Sequence, residues 1–361
     1  MTQTGPLRGL RVVELVGQGP GPYCGALLAD LGADVVCVDR PRPSPSAGLP
    51  TSPMLRGKRS VALDLKAPGS VDQVLELTDR SDAFIDPFRP GVCERLGLGP
   101  DVAMARNPRL IYGRMTGWGQ DGPMADAAGH DINYIALSGA LHLLGPAGGA
   151  PSFPINLLGD FAGGGMLLAL GIACAVIERA TSGLGQVIDA AMVDGAAQVL
   201  GPIFAAATSG RWGPRGTNHL DGGAHFYNVY RCADGEWISV GAIEPQFYAA
   251  LLAGLGLEDD GAQHDVGRWS EWKARFTEVF ATRTRDEWEA NFAGTDACVA
   301  PVLHPSEVAA HPHTAARGIA VDVNGSVQAQ AAPRFSRTPA AAGIPCHPGS
   351  TAISDALAAW S

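Results

Sequence analysis

Residues 9–40 read GLRVVELVGQGPGPYCGALLADLGADVVCVDR, and this stretch decides the fold. Residues 10–15 form a short run of mostly branched apolar side chains, the pattern of a strand buried on both faces. Gly17, Gly19 and Gly21 then mark a turn, and a helical run follows to Leu31-Gly32. Residues 34–38 are a second strand, closed by Asp39-Arg40. Strand, glycine turn, helix and strand make a βαβ unit, which sets its two strands parallel.

The same alternation continues outward. Residues 71–77 predict a helix, and residues 83–85, 110–114 and 187–190 predict further strands. The expected fold class is therefore α/β: a Rossmann-like parallel sheet covered on both faces. After about residue 210 the pattern changes. Residues 226–231 and 236–240 flank Ala233-Asp234-Gly235 and predict a hairpin. A helix is expected from Pro245, and Trp269, Trp272, Phe276, Val279 and Phe280 share one helical face. The expected domains are a large one over 1–200, a linker over 201–225, a small α+β domain over 226–317, and a return to the large domain over 318–361.

Composition narrows the function. The net charge is −10 and lies wholly in residues 101–361, while the first hundred residues are balanced. An acidic protein is a poor nucleic-acid partner. The basic residues Arg40, Arg42, Arg56, Lys58, Arg59, Lys66, Arg89 and Arg95 follow predicted strands, where α/β folds place ligands. They read as a solvated surface or as a site for a small polyanion. Seven scattered cysteines without a CxxC suit a reduced, cytoplasmic protein. No secretory leader is read in the opening residues. Residues 161–177 are apolar but short, glycine-rich and flanked by Asp160 and Glu178, so a buried helix is expected and no membrane span.

Five places invite chemistry. The glycine turn is spaced GxGxG, not GxGxxG, and Pro20 and Pro22 remove backbone donors, so a dinucleotide site is not expected. His130-Asp131 opens a predicted helix; Asp131 reads as its cap, and His130 as either a packed side chain or an acid/base group. Asp160 lies before Gly163, Gly164 and Gly165, which leave room for a ligand beside a carboxylate that serves as cap, base or nucleophile. Glu244 enters a helix, an ordinary place for a carboxylate. His311-x-His313 reads as loop, and no metal site is expected.

The chain resembles the α-methylacyl-CoA racemases of the family III CoA-transferase superfamily. The resemblance rests on Gly9 to Leu15, Leu31 to Val36, Arg89-Pro-Gly-Val, Glu94 to Pro100, Met115-Thr-Gly-Trp-Gly-Gln120, Gly129-His-Asp-Ile-Asn-Tyr134, Asn156 to Phe161 and Asp189 to Gly195. Leu220 to Ala224, Val240 to Phe247, Asp296 to Val302 and Ala332 to Arg337 extend it into the remainder. The run Gly129 to Tyr134 separates the racemase branch from the transferases; the aspartate is common to both.

The resemblance implies a two-base epimerase acting on 2-methylacyl-CoA thioesters, with no separate cofactor and no metal. His130 and Asp160 would be the acid/base pair, and Glu244, from the partner subunit, would orient His130. Arg40, Leu63, Asp64, Leu65, Lys66, Pro87, Phe88, Arg89, Arg95, Gly129, Asp131, Ile132, Asn133 and Tyr134 would hold CoA. The implied assembly is an interlocked homodimer. The alternatives are a CoA-transferase with Asp160 as nucleophile and a non-catalytic acyl-CoA-binding homologue. A small, methionine-free run over 200–207 implies an altered acyl wall.

Overall fold

A computed structural model describes residues 4–41, 52–323 and 325–361; Arg42 lies outside the described residues. Six strands, β1 (Arg11–Leu15), β2 (Asp34–Asp39), β3 (Arg59–Ala62), β4 (Ala83–Asp86), β5 (Ile111–Thr116) and β6 (Val187–Ala191), form one sheet in the order β3-β2-β1-β4-β5-β6. Every pairing is parallel. The order reverses direction between β1 and β4, the point where open α/β sheets bind ligands beyond their strand ends.

Helices α1 (Pro20–Asp30), α2 (Ser70–Asp79), α3 (Val92–Leu96), α4 (Pro100–Arg106), α5 (Asp131–Leu137), α7 (Leu167–Ser182) and α8 (Met192–Val199) complete this part of the chain, while α6 (Ala140–Leu143) and α9 (Gly201–Thr208) belong to a second unit. Val12, Val35, Ile85 and Ile111 bury one sheet face against α1 and α7 through Leu28, Leu168 and Ile172. Val13, Val36, Phe84 and Tyr112 bury the other against α2, and the closing helix α14 (Ile353–Ala359) adds Ala356 and Trp360. Trp360 also donates its indole N–H to Asp34 at 2.8 Å. The chain end is thus part of the first fold, and its tryptophan fixes it there.

Two compact units result: residues 1–138, 154–200 and 309–361 in the first, residues 139–153 and 201–308 in the second. Residues 201–225 belong to the second unit. That unit is a three-stranded antiparallel sheet of β7 (Tyr227–Arg231), β8 (Trp237–Gly241) and β9 (Val299–Pro301). It packs on α10 (Pro245–Leu255), α11 (Trp269–Phe280) and α12 (Arg285–Phe292) around Trp272, Phe276, Phe280 and Trp288. A short helix, α13 (Pro312–Arg317), covers His313, where the sequence predicted loop; Pro312 starts it. A small hairpin, β10 (Ala320–Val323) and β11 (Ser326–Ala329), follows.

The apolar stretch differs from expectation. It begins as wide π-helical turns over Leu157–Met166 and continues as α7. Leu168, Ile172 and Ala175 are buried, but Leu170 is 60% and Ile177 72% exposed, so this helix is only half buried in the single chain. Residues 157–182 are the one stretch among the described residues long and apolar enough to cross a membrane. The side chains of α9 are likewise unburied, so the small residues there wall no interior of this chain.

Candidate active site

The glycine turn packs closely against Pro87 and Asp160. A side chain at Gly17 would lie 2.6 Å from the Pro87 ring, and one at Gly19 would lie 2.9 Å from a carboxylate oxygen of Asp160. Gly19 also has φ +67°, a conformation glycine adopts at little cost, and it caps α1. The turn exists to bring the end of β1 close to Asp160.

Asp160 sits in the first π-helical turns and is half-buried. Such turns inside helices are rare and commonly mark functional sites. Asn156, four residues earlier, donates its carboxamide N–H to the carboxylate at 3.0 Å. Burial holds the Asp160 carboxyl above its ordinary range, and the nearby Asp131 charge adds to that. The Asn156 hydrogen bond and the His130 charge act against it. The outcome is a carboxyl that keeps its proton more readily than a free one. The glycines behind it serve packing: side chains at Gly163, Gly164 and Gly165 would strike Ala196, Pro20 and Tyr23 within 3 Å. The expectation that they clear room for a ligand is therefore corrected.

His130 caps α5 with extended backbone, and the Asn133 carboxamide oxygen accepts its backbone N–H at 3.1 Å. Asp131, read from sequence as the cap, is instead the first helical residue and is buried. Its carboxylate accepts the backbone N–H groups of Gly159 and Asp160. Tyr134 is buried one turn on, stands edge-on to Trp118 with centroids 4.8 Å apart, and donates its hydroxyl to the Gly129 carbonyl. His130 is exposed, so the imidazole stands at the mouth while the residues behind it are locked.

His130 and Asp160 line one cavity of 340 Å³, with Pro87, Phe88, Arg89, Gly129 and Tyr134. A second cavity of 660 Å³ lies beyond the ends of β1, β2 and β3. Arg40, Leu63, Asp64, Leu65 and Lys66 line it, and Phe88 borders both cavities. Arg95 is on α3, outside both linings; Ile132 and Asn133 are exposed on α5. Glu244 caps α10 in the second unit. Gly19 and Asn156, the immediate neighbours of the Asp160 carboxylate, carry no role in the sequence reading. Only the four-residue spacing of Asn156 and Asp160, one helical turn, signals their contact.

The profile of CoA-transferase family III matches residues 7–349, and the chain belongs to that family. Within it, the chain is 49% identical over 338 residues to the α-methylacyl-CoA racemase of Homo sapiens, covering 92% of this chain and 87% of that one. It is 29% identical to the human succinyl-CoA:glutarate CoA-transferase, over 90% of this chain and 77% of that one. Among solved structures, a CAIB/BAIF family protein from Brucella suis superposes with a TM-score of 0.82 at 27% identity, covering 99% of each chain.

Proposed function

We propose that this protein is an α-methylacyl-CoA racemase, interconverting the two epimers of 2-methylacyl-CoA thioesters. The observation that carries the reading is that an imidazole and a carboxyl held above its ordinary range line one cavity. The kinship to racemases supports it. Epimerisation removes the α-proton from one face and returns a proton to the other. That needs two groups in opposite protonation states. In one direction His130 accepts the α-proton and protonated Asp160 donates to the opposite face. In the other, the Asp160 carboxylate accepts and imidazolium donates. The intermediate is the thioester enolate, and its oxygen needs donors; backbone N–H groups at the start of α5 supply them. Electron pair and protons balance without a redox group or metal.

The larger cavity suits the nucleotide end of CoA, with Arg40 and Lys66 toward its phosphates, and the smaller one suits the thioester. A CoA-transferase would use Asp160 as nucleophile and has no task for His130. The working unit is a homodimer in which Glu244 of the partner subunit orients His130. The exposed apolar face of Met166, Leu170 and Ile177 supports an association through this helix. An active monomer in sedimentation velocity would overturn that assembly.

The test is proton NMR of one enantiomer of a 2-methylacyl-CoA in deuterated water, without any acceptor acid. Loss of the α-proton signal with growth of the other epimer is expected. No exchange, followed by CoA transfer once a free acid is added, would make Asp160 a nucleophile.

A further inference from the structure

We infer that Asp131 is the positioning residue of this site: one of its carboxylate oxygens ties the start of the helix carrying His130 to the turn carrying Asp160. The inference rests on the two-base reading for its consequence, but its geometry stands apart from it. Asp131 Oδ1 accepts the N–H of Gly159 and the N–H of Asp160, both at 2.7 Å. These donors are 28 and 29 residues away in sequence, so the contact is tertiary and not a local cap.

The contact is built from both sides. Asp131 is 5% exposed, and its other oxygen, Oδ2, is buried with no hydrogen-bond partner. A buried carboxylate oxygen left unpaired is costly. Capping does not require that cost, because Asn133 already accepts the free N–H of His130. Across the gap, a side chain at Gly159 would lie 2.6 Å from Asp131 Oδ1 and would expel it. Gly159 therefore admits the carboxylate to the backbone, and the two N–H groups hold it there. Since His130 adjoins Asp131 and Asp160 is itself one of the donors, the relative placement of both acid/base groups depends on one oxygen.

The charge has a second effect. Asp131 disfavours ionisation of Asp160, in the same direction as burial, while His130 opposes it. Tyr134 also faces Asp160, and Arg89 acts on Tyr134. From the other sides, the Tyr23 ring of α1 lies tilted against Phe161 with centroids 4.7 Å apart, and Asp194 of α8 interacts with Asp189 and Asp121. Asp131 is thus the nearby anion that helps Asp160 retain a proton.

The experiment compares Asp131→Ala and Asp131→Asn in the full-length protein. Asp131→Ala removes the tie and lowers kcat for α-proton exchange by about 100-fold, the scale of a small misplacement of reacting groups. CoA binding falls by much less than kcat, because Oδ1 is engaged by the two backbone N–H groups of Gly159 and Asp160. Asp131→Asn keeps an oxygen acceptor for both N–H groups, so it recovers most of that loss. Having lost the charge, its acid limb of kcat/KM against pH lies lower than that of the wild type. A merely structural residue would leave that limb in place. Wild-type kcat in Asp131→Ala, equal losses in kcat and CoA binding, or superimposable pH profiles of Asp131→Asn and wild type each overturn the inference. If Asp131→Ala does not fold, the Asp131→Asn profile decides. If the wild type shows no α-proton exchange, the racemase reading fails, and amide hydrogen exchange then tests the tie. Protection of Gly159 and Asp160 lost in Asp131→Ala supports it; protection unchanged overturns it.

Discussion

His130 and His225 belong to regions built on opposite terms. His130 stands exposed at a helix start above a parallel sheet, beside two carboxylates and a cavity. His225 is fully buried in the second unit, ringed by Phe226, Tyr248, Trp272 and Phe276, with Nε2 at 2.9 Å from the Tyr248 hydroxyl. Burial pushes the His225 ring down to about 4, so it is neutral at physiological pH. The difference teaches that residue type sets only the menu. A titratable group does chemistry where water and carboxylates reach it, and serves packing where aromatic rings enclose it.

The largest expected effect separates the two regions by activity. On the proposed two-base mechanism, Asp160→Asn removes one acid/base group and lowers kcat for epimerisation by about 1,000-fold, within the range for losing a general acid–base residue. CoA binding and the melting temperature stay close to wild type, because the Asn156 contact and the backbone tie both survive. His225→Phe, in contrast, leaves kcat near the wild-type value. Steady-state kinetics with CoA titration calorimetry checks both. Equal loss of kcat in the two variants would erase the distinction between a chemical and a packing histidine.

The second effect separates them by stability. His225 has a folded value of about 4 against an ordinary 6.5. Above pH 6.5 both folded and unfolded chains carry it neutral, and its contribution is complete. As pH falls from 6.5 toward 4, the unfolded chain binds a proton that the folded chain refuses, so stability declines throughout that window. The full loss is about 3 kcal/mol, at about 1.4 kcal/mol per unit. Urea unfolding at a series of pH values, compared with His225→Phe, isolates this from the carboxylates. A variant whose stability falls as steeply as the wild type between pH 6.5 and 4 would sink the assignment.

The same contrast explains what was legible in the sequence. The strands were, because runs such as Val12-Val13 and Val35-Val36 have one solution in a parallel sheet, and the aromatic face of α11 was, because its 3.6-residue period repeats. His130 and Asp160 were visible as chemistry-bearing types in motifs. The tie through Asp131 was not, since its partners are backbone N–H groups contributed by a distant turn, and backbone donors leave no mark on composition. The π-helical turns were missed for a related reason: Gly163, Gly164 and Gly165 signal closeness without saying to what. The half-exposed helix over 157–182 was misread because apolar content is the same for a core helix and for one that leaves an apolar face exposed in the single chain.

The smallest effect tests whether the site itself divides into two parts. Arg40 and Lys66 line the larger cavity, whereas His130 and Asp160 line the smaller one. Arg40→Ala is expected to weaken CoA binding by about tenfold, or about 1.4 kcal/mol, the scale of one charge-assisted hydrogen bond. Arg40 is exposed, so the loss shrinks as salt screens the phosphate interaction. At saturating substrate kcat should hold, because Arg40 touches neither the α-carbon nor its two acid/base groups in this arrangement. Titration calorimetry at two ionic strengths together with kcat measures each part. If kcat falls with affinity, the two cavities act as one, and Phe88, the residue bordering both, becomes the side chain through which nucleotide placement reaches the α-carbon. Phe88→Ala would then reproduce the loss in kcat without any change of charge.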